Sequence, residues 1–174
     1  GRGGFMLLNR DDPLVMAALP APVKGKPTRS YFTFGSDEPK RPGDYGIETV
    51  NGMAWLVRAA EADETLKRRK TETLELHIQR LMPLEALRIH GRHNATNALA
   101  ALGLAVAVGC SLAPMLHGLR EYRGEPHRVE SVAVLDGVEY FDDSKGTNVG
   151  ATVAALAGLG AERKLVLILG GEGK

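Results

Sequence analysis

Apolar and polar positions follow two rhythms along the chain, one of period two and one near 3.6, and the changes between them predict its elements. Residues 5–8 form a short apolar run that suits a strand. The polar turn Asn9-Arg10-Asp11-Asp12 follows, and Pro13 fits the first turn of a helix reaching about Leu19. Strand, turn and helix make a βα unit of a parallel sheet. Pro20, Pro22 and Pro27 then break the pattern. Residues 30–34 alternate Tyr31 and Thr33 with Phe32 and Phe34, the strand period. A polar loop at 35–44 leads to two runs, 45–50 and 53–57, flanking Asn51-Gly52, whose residue types accept the positive φ of a tight hairpin turn.

Residues 61–70 are heavily charged and read as a solvated loop or face. Residues 81–89 lead to His90-Gly91. A helix then opens with a polar first turn, Arg92-His93-Asn94, and continues with small apolar residues that permit close packing on a sheet. Ser111 is placed to cap a second helix running to about Tyr122. Gly124-Glu125-Pro126 breaks the chain, and a domain boundary is expected there. Two strands, 129–135 and 138–141, are joined by the turn Asp136-Gly137. The heptapeptide Asp142-Asp143-Ser144-Lys145-Gly146-Thr147-Asn148 and an Ala-rich helix at 150–159 follow. Residues 164–169 are almost wholly apolar, as a parallel strand covered on both faces should be, and run into a glycine-rich turn. A domain is not expected to end right after such a strand, so the chain reads as a fragment. The expected fold class is α/β: a mainly parallel sheet with an antiparallel hairpin region, then the start of a doubly wound unit.

Composition narrows the classes. With 174 residues, 44% hydrophobic and 25% charged, the chain suits one ordinary domain or two small ones. A formal net charge of +1 gives no field to attract nucleic acid or an anionic membrane, and 5% aromatics argue against a base-stacking surface. The cluster Lys67-Arg68-Arg69-Lys70 is diluted by neighbouring acids. Residues 98–116 carry no charge, but Gly109 and Pro114 interrupt them, so two helices meeting near Gly109-Cys110-Ser111 are expected rather than a membrane span. Cys110, the only cysteine, is expected to be a small buried hydrophobe, which leaves no cysteine pair for a metal or an internal disulfide. The N-terminus lacks the charged region and apolar core of a signal peptide, and a cytoplasmic monomer is expected.

The candidate chemistry concentrates in the heptapeptide. It lies between a strand and a helix start, where unpaired N–H groups and the helix dipole favour an anion. Lys145 adds a mobile cation and Asp143 an acceptor for hydroxyls or a metal. The structural alternative is a capped helix with Ser144, Thr147 or Asn148 as the cap. Upstream, Asn94 and Asn97 share one helical face, and their amides can both donate to and accept from a heterocycle edge. For that pair the alternative is one capping asparagine and one solvated.

In order and spacing, Gly91-x-His93-Asn94-x-Thr96-Asn97-Ala98-Leu99-Ala100-Ala101, Pro126-His127-Arg128, Asp143-Ser144-Lys145-x-Thr147-Asn148 and the weaker Leu169-Gly170-Gly171-x-Gly173-Lys174 resemble the Mur ligase family over nearly the whole chain. The second and third blocks look like its D-glutamate-adding branch, since other branches usually carry an Asp-x-Ala-His type sequence there. The resemblance implies ATP-dependent amide formation in peptidoglycan synthesis. A carboxylate of UDP-N-acetylmuramoyl-L-alanine becomes an acyl phosphate, which the D-glutamate amine attacks. It implies that Asn94 and Asn97 contact the adenine side of ATP with His93 nearby, and that Arg128 and Asp143 hold ribose and phosphates. Lys145 would face the phosphoryl group as the catalytic cation, and Thr147 and Lys174 would bind the D-glutamate carboxylates. His127 belongs to the motif without a definite role, and a packed hinge residue is the alternative.

The chain departs from a complete ligase in lacking the G-x-x-G-K-[ST] phosphate loop; Gly25-Lys26-Pro27-Thr28 mimics only its end. The family's Mg2+ ligands lie before the position matched by residues 5–9, so no metal residue is expected in this chain. Residues 1–123 are expected to be the later half of a central ATP-binding domain, and 124–174 the start of a C-terminal amino-acid-binding domain. Alone, the fragment should be inactive. Another ligase of the Mur and folate type, or a non-catalytic nucleotide-binding module, remains open on the sequence.

Overall fold

The computed structural model describes residues 5–20, 30–61, 76–160 and 163–172. The prolines at 22 and 27, the Gly25–Thr28 mimic, the basic cluster at 67–70 and Lys174 lie outside them.

β1 (Met6–Asn9) and α1 (Pro13–Ala17) realise the predicted βα unit. Asp12 caps the helix, its carboxylate accepting from the N–H groups of Leu14 (2.9 Å) and Val15 (3.4 Å). A five-stranded sheet follows in the order β1-β2-β3-β4-β5, with β2 at Tyr31–Phe34, β3 at Tyr45–Val50, β4 at Met53–Glu61 and β5 at Leu76–Pro83. The β1–β2 and β2–β3 pairs are parallel; β3–β4 and β4–β5 are antiparallel. Asn51 and Gly52 both take positive φ, 51° and 80°, as the hairpin turn requires. β5 goes beyond the predicted elements. Opposite Leu56 and Val57 of β4 the register skips Leu81, a bulge in β5 that puts Leu81 and Met82 both in the core and hides the period of two.

α2 (Arg92–Ala107) covers the sheet. Ala95, Ala98, Leu99 and Leu102 enter a core with Tyr45, Ile47, Leu56 and Met82. Gly103 is needed for close approach, because a Cβ there would stand 2.7 Å from the Leu7 side chain on β1. α3 (Leu112–Glu121) lays Met115, Leu116 and Leu119 on the edge of the same core. The two helices meet at Gly109 (φ 93°), and among the described residues no helix is long and apolar enough to cross a membrane. Cys110 is exposed, against expectation. It lies past the end of α2, its N–H tied to the Ala105 carbonyl (2.9 Å), where the chain has already turned off the sheet.

Beyond Gly124 (φ 92°) lie a separate hairpin, β6 (Glu130–Leu135) with β7 (Val138–Asp142), and α4 (Val149–Gly160). Asp136 and Gly137 turn with φ 51° and 79°. Residues 164–169 form no strand, and Val166 and Ile168 are 94% and 91% exposed. A parallel strand needs a neighbour to take its N–H and C=O groups, and among the described residues none lies beside this segment.

Candidate functional site

The first cluster is the start of α2. Gly91 is its N-cap at φ 97°, a conformation suited to glycine, and it supplies no side-chain cap. Neither asparagine caps the helix. The Asn94 amide donates to the His90 carbonyl (2.8 Å), and the Asn97 amide reaches the Asn94 Oδ1 at 3.5 Å. His93 turns toward α4: a Cβ on Gly158 would lie 3.3 Å from both the His93 ring and the Gly91 Cα. Two glycines and one imidazole therefore form the close contact between α2 and α4.

Asn97 is exposed and borders an open apolar cavity of about 400 Å³ between α2 and α3, lined by Ile89, Ala101, Met115, Leu119 and Tyr122. Its walls are hydrocarbon and one phenol, with a single amide at the margin, which suits a flat heterocycle that must be held by one edge. The wall residues were not among those singled out from the sequence. Their spacing at 115, 119 and 122 is a helical stripe that could have revealed them.

The second cluster is a double turn built from residues 125–129 and 142–148. Asp143 accepts the Val129 N–H at 3.2 Å and, through its carbonyl, the Gly146 N–H at 2.8 Å. Lys145 donates its N–H to the His127 carbonyl (3.0 Å), and Thr147 donates its own to the Lys145 carbonyl (2.8 Å). The N-cap of α4 is Asn148, whose Oδ1 accepts from the Ala151 N–H at 2.9 Å. Arg128, Lys145 and Thr147 are exposed, with Asp143 half-buried between them. The Asp142 carboxylate sits behind, 2.7 Å from His127 Nδ1 and 2.9 Å from the Ser144 N–H. The His127 hydrogen bond, aided by the Ser144 N–H, holds its pKa down at about 2.

Arg128, Asp143, Lys145 and Thr147 are thus brought into one turn system, and His93, Asn94 and Asn97 into another. They are not merged. His93 meets α4 at Gly158, roughly 15 Å along the helix from Asn148 at 1.5 Å per residue. Lys174 lies outside the described residues.

No family model matches the chain. It is 81% identical over its full length to a UDP-N-acetylmuramoylalanine–D-glutamate ligase of Polaromonas sp. (strain JS666 / ATCC BAA-500), of which it covers 30%. To ligases of the same name from Albidiferax ferrireducens and Paraburkholderia phymatum it is 68% and 54% identical, again over its whole length and covering 35% of each. The chain thus spans about a third of the length of the curated relatives it matches. Its fold is similar to a crystal structure of MurF from Acinetobacter baumannii, with a TM-score of 0.54 and 20% identity over 90% of this chain and 29% of that one.

Proposed function

Because the chain belongs to the Mur ligase family, we propose that it is the adenine-binding and hinge portion of an enzyme that joins D-glutamate to UDP-N-acetylmuramoyl-L-alanine at the expense of ATP. The observation that carries this reading is the 81% identity spread over the entire chain. Residues 1–123 then belong to the central ATP-binding domain, and 124–174 open the C-terminal one. The separation of the five-stranded sheet from the β6–β7 hairpin at Gly124 supports that division.

In this reading the cavity beside Asn97 receives adenine, and the Asn97 amide reads its edge. Asn94, bonded to His90, stiffens the helix start beneath it. Arg128 and Asp143 leave the same turn toward ribose and phosphates. Lys145, exposed on the turn, supplies positive charge where negative charge builds during phosphoryl transfer. Thr147 and Lys174 take the D-glutamate carboxylates. ATP supplies the phosphoryl group that activates the substrate carboxylate.

Mg2+ is implied by the family, but the residues here do not fit it. Among the described residues the one metal-like grouping is His127, Glu130 and Asp142. Mg2+ prefers oxygen ligands in octahedral array, whereas His127 Nδ1 is hydrogen-bonded to Asp142 and the Glu130 carboxylate accepts the His127 N–H.

The test is ADP release by the full-length protein with the nucleotide substrate and each of D-glutamate, meso-diaminopimelate and L-lysine. Turnover with D-glutamate alone is expected. Turnover with another amino acid would move the chain to a different branch, and nucleotide binding without turnover would favour a non-catalytic module.

A further inference from the structure

We propose that His127 is a positioning residue: its ring, bonded to Asp142, locks a left-handed turn against the end of β7 and so sets the directions in which Arg128 and Lys145 leave the backbone. The proposal rests on the reading above, in which those two cations serve ATP and the transferring phosphoryl group.

Arg128 is flanked by two non-glycine residues at positive φ, His127 at 65° and Val129 at 50°. That region is uncommon for any side chain and rarest for a branched one such as valine, so a chain holds it only where surrounding bonds over-determine it. Here they do. The His127 N–H donates to Glu130 Oε2 (2.9 Å), its carbonyl accepts from the Lys145 N–H (3.0 Å), and its Nδ1 lies 2.7 Å from Asp142 Oδ2. On the far side of Arg128 the Val129 N–H donates to Asp143 Oδ1 at 3.2 Å. Since a carboxylate can only accept, Nδ1 carries the proton in this pair. The Asp142 carboxylate is fixed in turn by the Ser144 N–H at 2.9 Å. His127 is therefore the node at which the 125–129 turn and the 142–145 turn are joined.

The pair is 54% and 32% exposed at its two side chains, so as an ion pair or hydrogen bond it contributes little to global stability. Its effect is local. Without the ring contact, residue 127 can relax to negative φ. That would rotate the Arg128 Cα–Cβ direction and loosen the carbonyl that holds the Lys145 N–H.

Three single variants of the full-length protein, and the double variant His127→Gly/Asp142→Ala, separate this role from the alternatives. His127→Asn places an amide N–H near the Nδ1 position and accepts positive φ. His127→Gly accepts the same φ with no ring. Asp142→Ala removes the partner. The expected result is that His127→Gly and Asp142→Ala each raise the KM for ATP and lower kcat by roughly tenfold, that the double variant is no worse than either, and that His127→Asn stays within about twofold of wild type. Nitrogen-15 spectra of labelled histidine should show a proton on His127 Nδ1 without nucleotide, lost from slow exchange in Asp142→Ala. Wild-type behaviour of His127→Gly would overturn the proposal, as would a His127→Asn variant as impaired as His127→Gly, which would mean that the ring does something other than donate from Nδ1. If the wild-type protein fails to ligate D-glutamate, the functional reading falls, while the Nδ1 spectrum still decides whether the pair exists.

Discussion

Removing the Thr147 hydroxyl should weaken D-glutamate binding without weakening the helix that follows it. A threonine just before a helix is ordinarily suspected of capping, and loss of a cap costs about 0.5–2 kcal/mol. In this chain the cap is occupied by its neighbour. Asn148 Oδ1 takes the Ala151 N–H at 2.9 Å, and the Asn148 carbonyl accepts the Thr152 N–H at 3.2 Å as the first helical bond. Thr147 is exposed, and its N–H is already bonded to the Lys145 carbonyl. The full capping cost therefore belongs to Asn148→Ala. Thr147→Ala should shift the unfolding free energy by no more than about 0.5 kcal/mol, the usual range for a surface change. If the hydroxyl donates to a substrate carboxylate, its loss removes a charge-assisted hydrogen bond of about 1.5–3 kcal/mol, which raises the D-glutamate KM roughly ten- to a hundredfold. Steady-state kinetics and urea unfolding on Thr147→Ala, Thr147→Ser and Asn148→Ala provide the comparison. Serine should restore most of the affinity. A Thr147→Ala protein with unchanged D-glutamate KM, or one destabilised as much as Asn148→Ala, would refute the reasoning.

Asn97→Leu should weaken ATP roughly two- to tenfold by calorimetry, the worth of one neutral hydrogen bond, because it keeps the volume beside the cavity but removes the only amide on its margin. Leu99→Ala, at a side chain with 0% exposure in the contact between α2 and the sheet, should cost about 2–5 kcal/mol in urea unfolding. Stability against pH should report Asp142. Its folded pKa of about 2 lies below the unfolded value of 3.8, so the contribution is complete only above about pH 5 and fades as pH falls toward 2. Wild type should lose its advantage over Asp142→Ala across that window, and a constant difference down to pH 2 would show that the carboxylate is not held by His127.

How far the sequence could be read depended on whether each signal was local. Turn chemistry is local: Asn51-Gly52 and Asp136-Gly137 announce their hairpins in two residues each, and both take the positive φ those residues permit. Helix starts were partly legible. Asp12 and Asn148 cap as their residue types suggest, whereas Asn94, an equally good cap by type, is turned back to the His90 carbonyl because Gly91 has already taken the cap position. Pairing is not local. β5 escaped because Leu81 bulges out of its pairing with β4, so that Leu81 and Met82 are both buried and the period of two is lost, and residues 164–169 read as a buried strand from composition alone, although composition cannot supply the neighbouring strand that would bury Val166 and Ile168. The site divides in the same way. The heptapeptide is contiguous, so its chemistry could be proposed from residue types. The cavity wall joins Ile89, ahead of α2, to Met115, Leu119 and Tyr122, on and just after α3, and the bond from Asp142 to His127 spans fifteen positions. Neither contact has a signature within a window of sequence. For that reason the motif could be recognised while His127 was left without a role: its partner, Asp142, lies one residue ahead of the next block of the motif, and only the folded turn brings the two within hydrogen-bonding distance.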